Sequence, residues 1–138
     1  MGRLRVFVAE DNDADVHLVR LALAEHQVEC ELTVAHDGAG VKEYLRTVGG
    51  AARPCPDLIL LDLNLPQTSG HELLRLIREH EACGQVPVVV MTSSDAPHDR
   101  ERVKALGAAY YFRKPTDLEE FLGLGRVVRE LMGRGVGG

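Results

Sequence analysis

The chain has little cysteine. Cys30, Cys55 and Cys83 are odd in number, far apart in sequence and include no CxxC pair. That usage predicts reduced thiols in a reducing compartment, with Cys30 packed in a strand. The six histidines supply no HExxH and no close Cys/His cluster, which argues against zinc. No apolar run approaches membrane-spanning length, and the first one is cut off by Glu10-Asp11 too early for a signal peptide. Gly2 is no myristoylation signal, because position 6 is Val6 rather than a hydroxyl residue. The expected location is the cytoplasm. A strongly basic stretch is also missing. The net charge is −5 and the Lys and Arg residues are scattered, so a nucleic-acid partner is not expected. What is present is an ordinary globular composition of 138 residues, 45% of them apolar. That is enough for one domain with a real core. Residues 1–132 read as that domain, and Gly133–Gly138 as a frayed tail.

Short apolar runs alternate with helical stretches five times along the chain. Strands are predicted near Arg3–Ala9, Glu29–Ala35, Leu58–Leu61, Pro87–Met91 and Tyr110–Arg113. The second alternates, with Cys30, Leu32 and Val34 on one side, as an edge strand does. The third and fourth are continuously apolar, as strands buried on both faces are. Asn12-Asp13 caps a first helix carrying Val16, Val19 and Leu23. Asp37-Gly38 opens a second with Val41, Tyr44 and Leu45. A surface loop over residues 49–56 follows. Ser69 caps a third helix with Leu73, Leu74 and Ile77, expected to end near Gly84. Ser94 or Asp95 before Pro97 starts a fourth, which stops at Gly107. Thr116-Asp117-Leu118-Glu119 reads as a capping box for one last helix, weakened by Gly123 and Gly125. Its apolar face serves the core alone or extends into a dimer interface; sequence leaves both open. Five such units predict an α/β three-layer sandwich around a doubly wound parallel sheet, with order 2-1-3-4-5 fitting best.

Polar residues stand at the ends of these apolar runs. Glu10-Asp11 follow the first strand, Asp62 the third, Thr92 the fourth and Lys114 the fifth. In doubly wound sheets, function gathers beyond the carboxyl ends of the strands. Three carboxylates brought together there repel one another unless a hard divalent cation joins them, and Mg2+ suits oxygen ligands of this kind. An acid nucleophile, a metal, a lysine and a hydroxyl make a constellation for phosphoryl transfer onto an aspartate.

Glu10-Asp11, the run Leu60-Leu61-Asp62-Leu63-Asn64-Leu65-Pro66, Gly70, Thr92-Ser93-Ser94 and Lys114-Pro115 resemble the receiver domains of two-component response regulators. The likeness spans about Leu4 to Met132. It implies a flavodoxin-like (CheY-like) fold and a phosphorelay function, with Asp62 as phosphoacceptor. By the same resemblance, Asp11 and Asp62 bind Mg2+ directly with the Asn64 backbone carbonyl, and Glu10 acts through water. Thr92 and Lys114 then hold phosphoryl oxygens, and Thr92 and Tyr111 form the switch that repacks the face of the fourth helix, fifth strand and fifth helix. The Lys114–Pro115 peptide is expected to be cis. The implied partner is a sensor histidine kinase. Asp62-Leu63-Asn64-Leu65-Pro66 and Lys114-Pro115-Thr116-Asp117-Leu118 narrow the resemblance to single-domain regulators paired with bacterial phytochrome kinases. Thr68-Ser69 departs from the acid that many receivers carry before Gly70.

Other classes fit less well. A haloacid-dehalogenase-type phosphatase needs a second acid two residues past its nucleophile, where this chain has Asn64. A flavin or nucleotide module needs a Gly-rich phosphate loop after the first strand, where Glu10-Asp11 would repel a phosphate. A receiver-like scaffold without phosphorylation is disfavoured by intact Asp11, Asp62, Thr92 and Lys114.

Overall fold

A computed structural model describes residues 3–93 and 97–135. The elements run β1 (Leu4–Ala9), α1 (Asp13–Glu25), β2 (Cys30–Ala35), α2 (Gly38–Thr47), β3 (Leu58–Asp62) and α3 (Gly70–Glu79). They continue with β4 (Val88–Thr92), α4 (Pro97–Ala105), β5 (Tyr110–Arg113), α5 (Leu118–Leu122) and α6 (Leu124–Gly135). All strand pairs are parallel and the sheet order is β2-β1-β3-β4-β5, the doubly wound order expected as the best fit to the apolar runs.

Strand alternation feeds two cores. Val6, Val8, Leu58, Leu60, Val89 and Met91 point to the side covered by α1, α5 and α6. Phe7, Ala9, Ile59, Leu61, Val88 and Val90 point to the side covered by α2, α3 and α4. Every residue of β3 and β4 is buried, whereas β2 alternates as an edge should. Each fully buried Leu or Ile in β3 is worth roughly 1.5–3 kcal/mol relative to exposure. The functional end of the sheet is thereby held on its two most buried strands.

Helix starts follow the local chemistry. Asn12 accepts the Asp15 N–H at 3.1 Å, Asp37 that of Gly40 at 2.7 Å and Ser69 that of Glu72 at 3.4 Å. The last cap is Asp117, not Thr116: its carboxylate accepts the Glu119 N–H at 3.0 Å. Helix α3 stops at Glu79, well short of Gly84. His80 takes extended backbone there, and its Nδ1 accepts the N–H groups of Ala82 and Cys83 at 3.1 and 3.0 Å. Its Nε2 must then carry the proton donated to the Leu45 carbonyl at 2.8 Å. The start proposed at Ser94 or Asp95 lies outside the described residues.

Further expectations need correction. Cys55 and Cys83 form a disulfide with Cα atoms 5.6 Å apart, leaving Cys30 as the free thiol. Their loops feed the amino ends of β3 and β4, so the fold brings together two cysteines 28 residues apart. The single last helix is two, broken at Gly123, and α6 continues through Gly135 into the segment expected to fray. The Lys114–Pro115 peptide is trans, because no described bond is cis. An Xaa–Pro bond favours trans by about 0.5–1 kcal/mol, and the Lys114 side chain reaches the site with that geometry.

Gly125 has a packing reason. A Cβ placed on it would lie 2.1 Å from the Ala22 carbonyl oxygen and 2.6 Å from the His26 ring, so only glycine lets α6 cross α1 this closely. Gly125→Ala should therefore destabilise the protein by about 1–3 kcal/mol in urea titration, despite the gain of about 1 kcal/mol in helix propensity. A stabilised variant would show that the crossing relaxes freely.

Candidate functional site

The strand register brings the polar anchors to one edge. Ala9 pairs with Leu61, Asp62 with Met91 and Thr92 with Arg113, so Glu10, Asp62, Thr92 and Lys114 emerge side by side. The Lys114 N–H donates to the Thr92 carbonyl at 2.7 Å, and the Leu63 N–H to that of Met91 at 2.8 Å, extending the ladder past the strand ends. Gly70 sits against this edge. A Cβ there would lie 2.5 Å from Leu63 Cα, so the start of α3 packs directly on the turn after Asp62.

Glu10, Asp62 and Thr92 are buried, with 0%, 2% and 1% exposure, while Asp11 is exposed. Lys114 Nζ donates to Glu10 Oε1 at 2.6 Å, to Asp62 Oδ2 at 2.9 Å and to Asp15 Oδ2 at 2.9 Å. The other Asp62 oxygen accepts the Asn64 N–H at 2.8 Å, which fixes the carboxylate plane. The Asn64 side chain turns to β4. Its Oδ1 accepts from Thr92 Oγ1 at 3.1 Å and from the Ser93 N–H at 3.2 Å. Tyr111 packs half-buried against the α2/α3/α4 core, with the Arg100 guanidinium 4.7 Å from its ring centroid.

Every site residue expected from sequence except Tyr111 therefore lies at this edge. Tyr111 sits one layer away, three residues before Lys114 along the fifth strand and its end. Sequence reading missed Asp15 and the side chain of Asn64. Asp15 looked like an ordinary first-turn acid, and Asn64 was read only through its backbone. No spacing in the sequence marks Asp15, because Asp11 precedes the N-cap Asn12 and does not belong to α1.

The electrostatics are those of a site built for cations. Burial is the main cause pushing the Glu10 carboxyl up to about 8, with the Asp62 carboxylate adding to it and Lys114 opposing it. Burial alone would lower the Lys114 ammonium, but the bonds to Glu10, Asp15 and Asp62 outweigh it and hold it above its ordinary value. Glu10, Asp11 and Asp62 each offer a carboxylate oxygen, all within 4.8 Å of one another. An all-oxygen set of this charge suits a hard divalent ion.

Comparison with known proteins agrees with this geometry. The response regulator receiver domain family matches residues 6–124. Response regulator Rcp1 of Synechocystis sp. is 34% identical over 83% of this chain and 79% of its own length. The probable methanogenesis regulatory protein FilR2 of Methanothrix harundinacea is 33% identical over 91% of this chain and 79% of its own. Among solved structures, the phosphorylated cyanobacterial phytochrome response regulator RcpA superposes with TM-score 0.81 at 35% identity, covering 94% of this chain and 93% of that one. The Mn2+-bound form of Rcp1 gives TM-score 0.80 at 31% identity, covering 91% of each chain. No helix among the described residues is long and apolar enough to cross a membrane. The chain belongs to the receiver domain family of two-component response regulators.

Proposed function

We propose that Asp62 accepts a phosphoryl group from the phosphohistidine of a sensor histidine kinase, and that this transfer switches the face formed by α4, β5 and α5. The observation that carries the reading is the Lys114 ammonium bridging two buried acidic side chains, Glu10 and Asp62, beside exposed Asp11. The likeness to RcpA supports a bacterial phytochrome as the kinase. Tyr110 and Leu118, exposed on β5 and α5, are the apolar contacts a second copy of the chain would cover on that face.

The chemistry follows from the contacts. An Asp62 oxygen forms a bond to phosphorus as the phosphorus–nitrogen bond breaks, and the imidazole nitrogen leaves with the electron pair. Asp11, Asp62 and the Asn64 backbone carbonyl would hold Mg2+, with Glu10 acting through water, and the ion would supply charge neutralisation on the phosphoryl oxygens. Once Asp62 carries the phosphoryl group as an acyl phosphate, Lys114 loses a charged acceptor and gains phosphoryl oxygens in its place. The Thr92 hydroxyl leaves Asn64 to donate to the phosphoryl group, and Tyr111 leaves Arg100 and turns inward. The chain itself supplies the groups for transfer and for slow hydrolysis of the acyl phosphate.

Incubation with Mg2+ and acetyl phosphate should add the mass of one phosphoryl group, and chelation of the metal should prevent it. An unmodified intact mass after such incubation would count against the proposal. The metal site has a separate signature. With its carboxyl raised to about 8, Glu10 is mostly protonated near neutrality in the cation-free protein. Its raised value makes the cation-free fold lose stability as pH climbs from the ordinary carboxylate range through about 8. Mg2+ binding should remove that loss and release up to about one proton at pH 7, but none above about pH 9. Calorimetric titration in two buffers of different ionisation enthalpy checks this; equal heats in both at pH 7 would contradict it.

A further inference from the structure

Lys114 has three N–H donors and spends all of them on acidic side chains: Glu10 at 2.6 Å, Asp62 at 2.9 Å and Asp15 at 2.9 Å. Glu10 and Asp62 also belong to the group that can hold a cation, together with Asp11; Asp15 does not. Among the described residues, the Asp15 side chain bonds Lys114 and no other group. Its backbone N–H is fixed by Asn12 at 3.1 Å in the first turn of α1, and its side chain, 25% exposed, points back to Lys114 Nζ.

We infer that Asp15 is a positioning residue for Lys114, the one anion that a bound cation does not contest. This rests on the reading of Asp62 and Lys114 given above. A divalent ion seated on Glu10, Asp11 and Asp62 competes with the ammonium for two of its three acceptors, and the two cations repel. Without a third acceptor, the ammonium stays on those two oxygens and keeps them from the ion. Asp15 gives it another anion to hold. It holds the ammonium beside Asp62 while the carboxylates turn to the metal, so that Lys114 is in place when a phosphoryl group arrives. Asp13 is the natural comparison. It lies in the same helical turn and carries the same charge, but it is 91% exposed and pairs with His36 instead of Lys114.

The test compares Asp15→Asn with Asp13→Asn, each in the wild-type chain and in a Lys114→Met background. Two quantities are read: Mg2+ affinity by calorimetry, and the rate of phosphoryl uptake from acetyl phosphate by intact mass. In that uptake the Asp62 oxygen–phosphorus bond forms as the acetate oxygen–phosphorus bond breaks, and acetate leaves with the electron pair. Asp15→Asn should weaken Mg2+ binding and slow uptake, each by about five-fold or more. Asp13→Asn should change both by less than about two-fold. In the Lys114→Met background, Asp15→Asn should no longer affect Mg2+ binding. Equal effects of the two asparagine substitutions would overturn the inference, since helix polarity or general charge would explain both. An Asp15→Asn effect on Mg2+ that persists in full without Lys114 would also overturn it. If the wild-type chain takes up no phosphoryl group, the phosphoacceptor reading fails, and the calorimetric arm still decides the role of Asp15.

Discussion

Replacing Lys114 with methionine is expected to destabilise the cation-free protein by about 3 kcal/mol at neutral pH and to slow phosphoryl uptake by at least about 100-fold. The Lys114 side chain is 13% exposed, and its ammonium lies between buried Glu10 and Asp62, with Asp15 at the rim. Removing it leaves the buried Asp62 carboxylate without its cationic partner in a partly dehydrated edge, where truncating one partner of an ion pair typically costs about 3–5 kcal/mol. The lower end is expected because Glu10, already raised to about 8, is mostly protonated and adds little charge beside Asp62. Mg2+ should bind this variant more tightly and return most of the lost stability, because the ion then has no competitor for the carboxylates. Uptake should stay low even at saturating Mg2+, since the cation cannot stand where Lys114 meets the phosphoryl oxygens. Urea titrations with and without Mg2+, and uptake followed by mass, separate these effects. A variant with unchanged stability and rate would show that the ammonium is incidental to the edge.

Replacing both Cys55 and Cys83 with serine is expected to lower the melting temperature by roughly 10 °C while leaving phosphoryl uptake within about two-fold. The bond closes a segment of 28 residues, for which loop entropy gives about 3.5 kcal/mol. It ties loops at the amino ends of β3 and β4, at the far end of the strands from Asp62, so the loss should fall on stability rather than chemistry. Reductant should lower the melting temperature of the wild-type chain to that of the double variant. Equal melting temperatures with and without reductant, together with alkylation of both thiols in the unreduced protein, would contradict the pairing.

Much of the fold was legible because local and global preferences agree. The continuous apolar runs at Leu58–Leu61 and Val88–Met91 require burial on both faces, and they occupy central strands. The alternation through Cys30, Leu32 and Val34 marks an edge, and β2 is one. The site was legible because strand ends in a parallel sheet converge, so the order of Glu10, Asp62, Thr92 and Lys114 already placed them together. What escaped depends on approach between distant segments. The Cys55–Cys83 bond, the Gly125 contact with Ala22 and the reach of Lys114 to Asp15 join residues whose spacing carries no periodic signal. The stop of α3 at Glu79 depends on a histidine ring capping its own turn and bonding Leu45 across the loop, which no propensity anticipates.

Peptide mapping of the chain after incubation with Mg2+ and acetyl phosphate addresses the role of Asp62 most directly. The phosphoryl group should be found on the peptide containing Asp62, and Asp62→Asn should take up none while still binding Mg2+ measurably. A phosphoryl group on another residue, or uptake that persists in Asp62→Asn at the wild-type rate, would contradict the assignment of Asp62 as the phosphoacceptor.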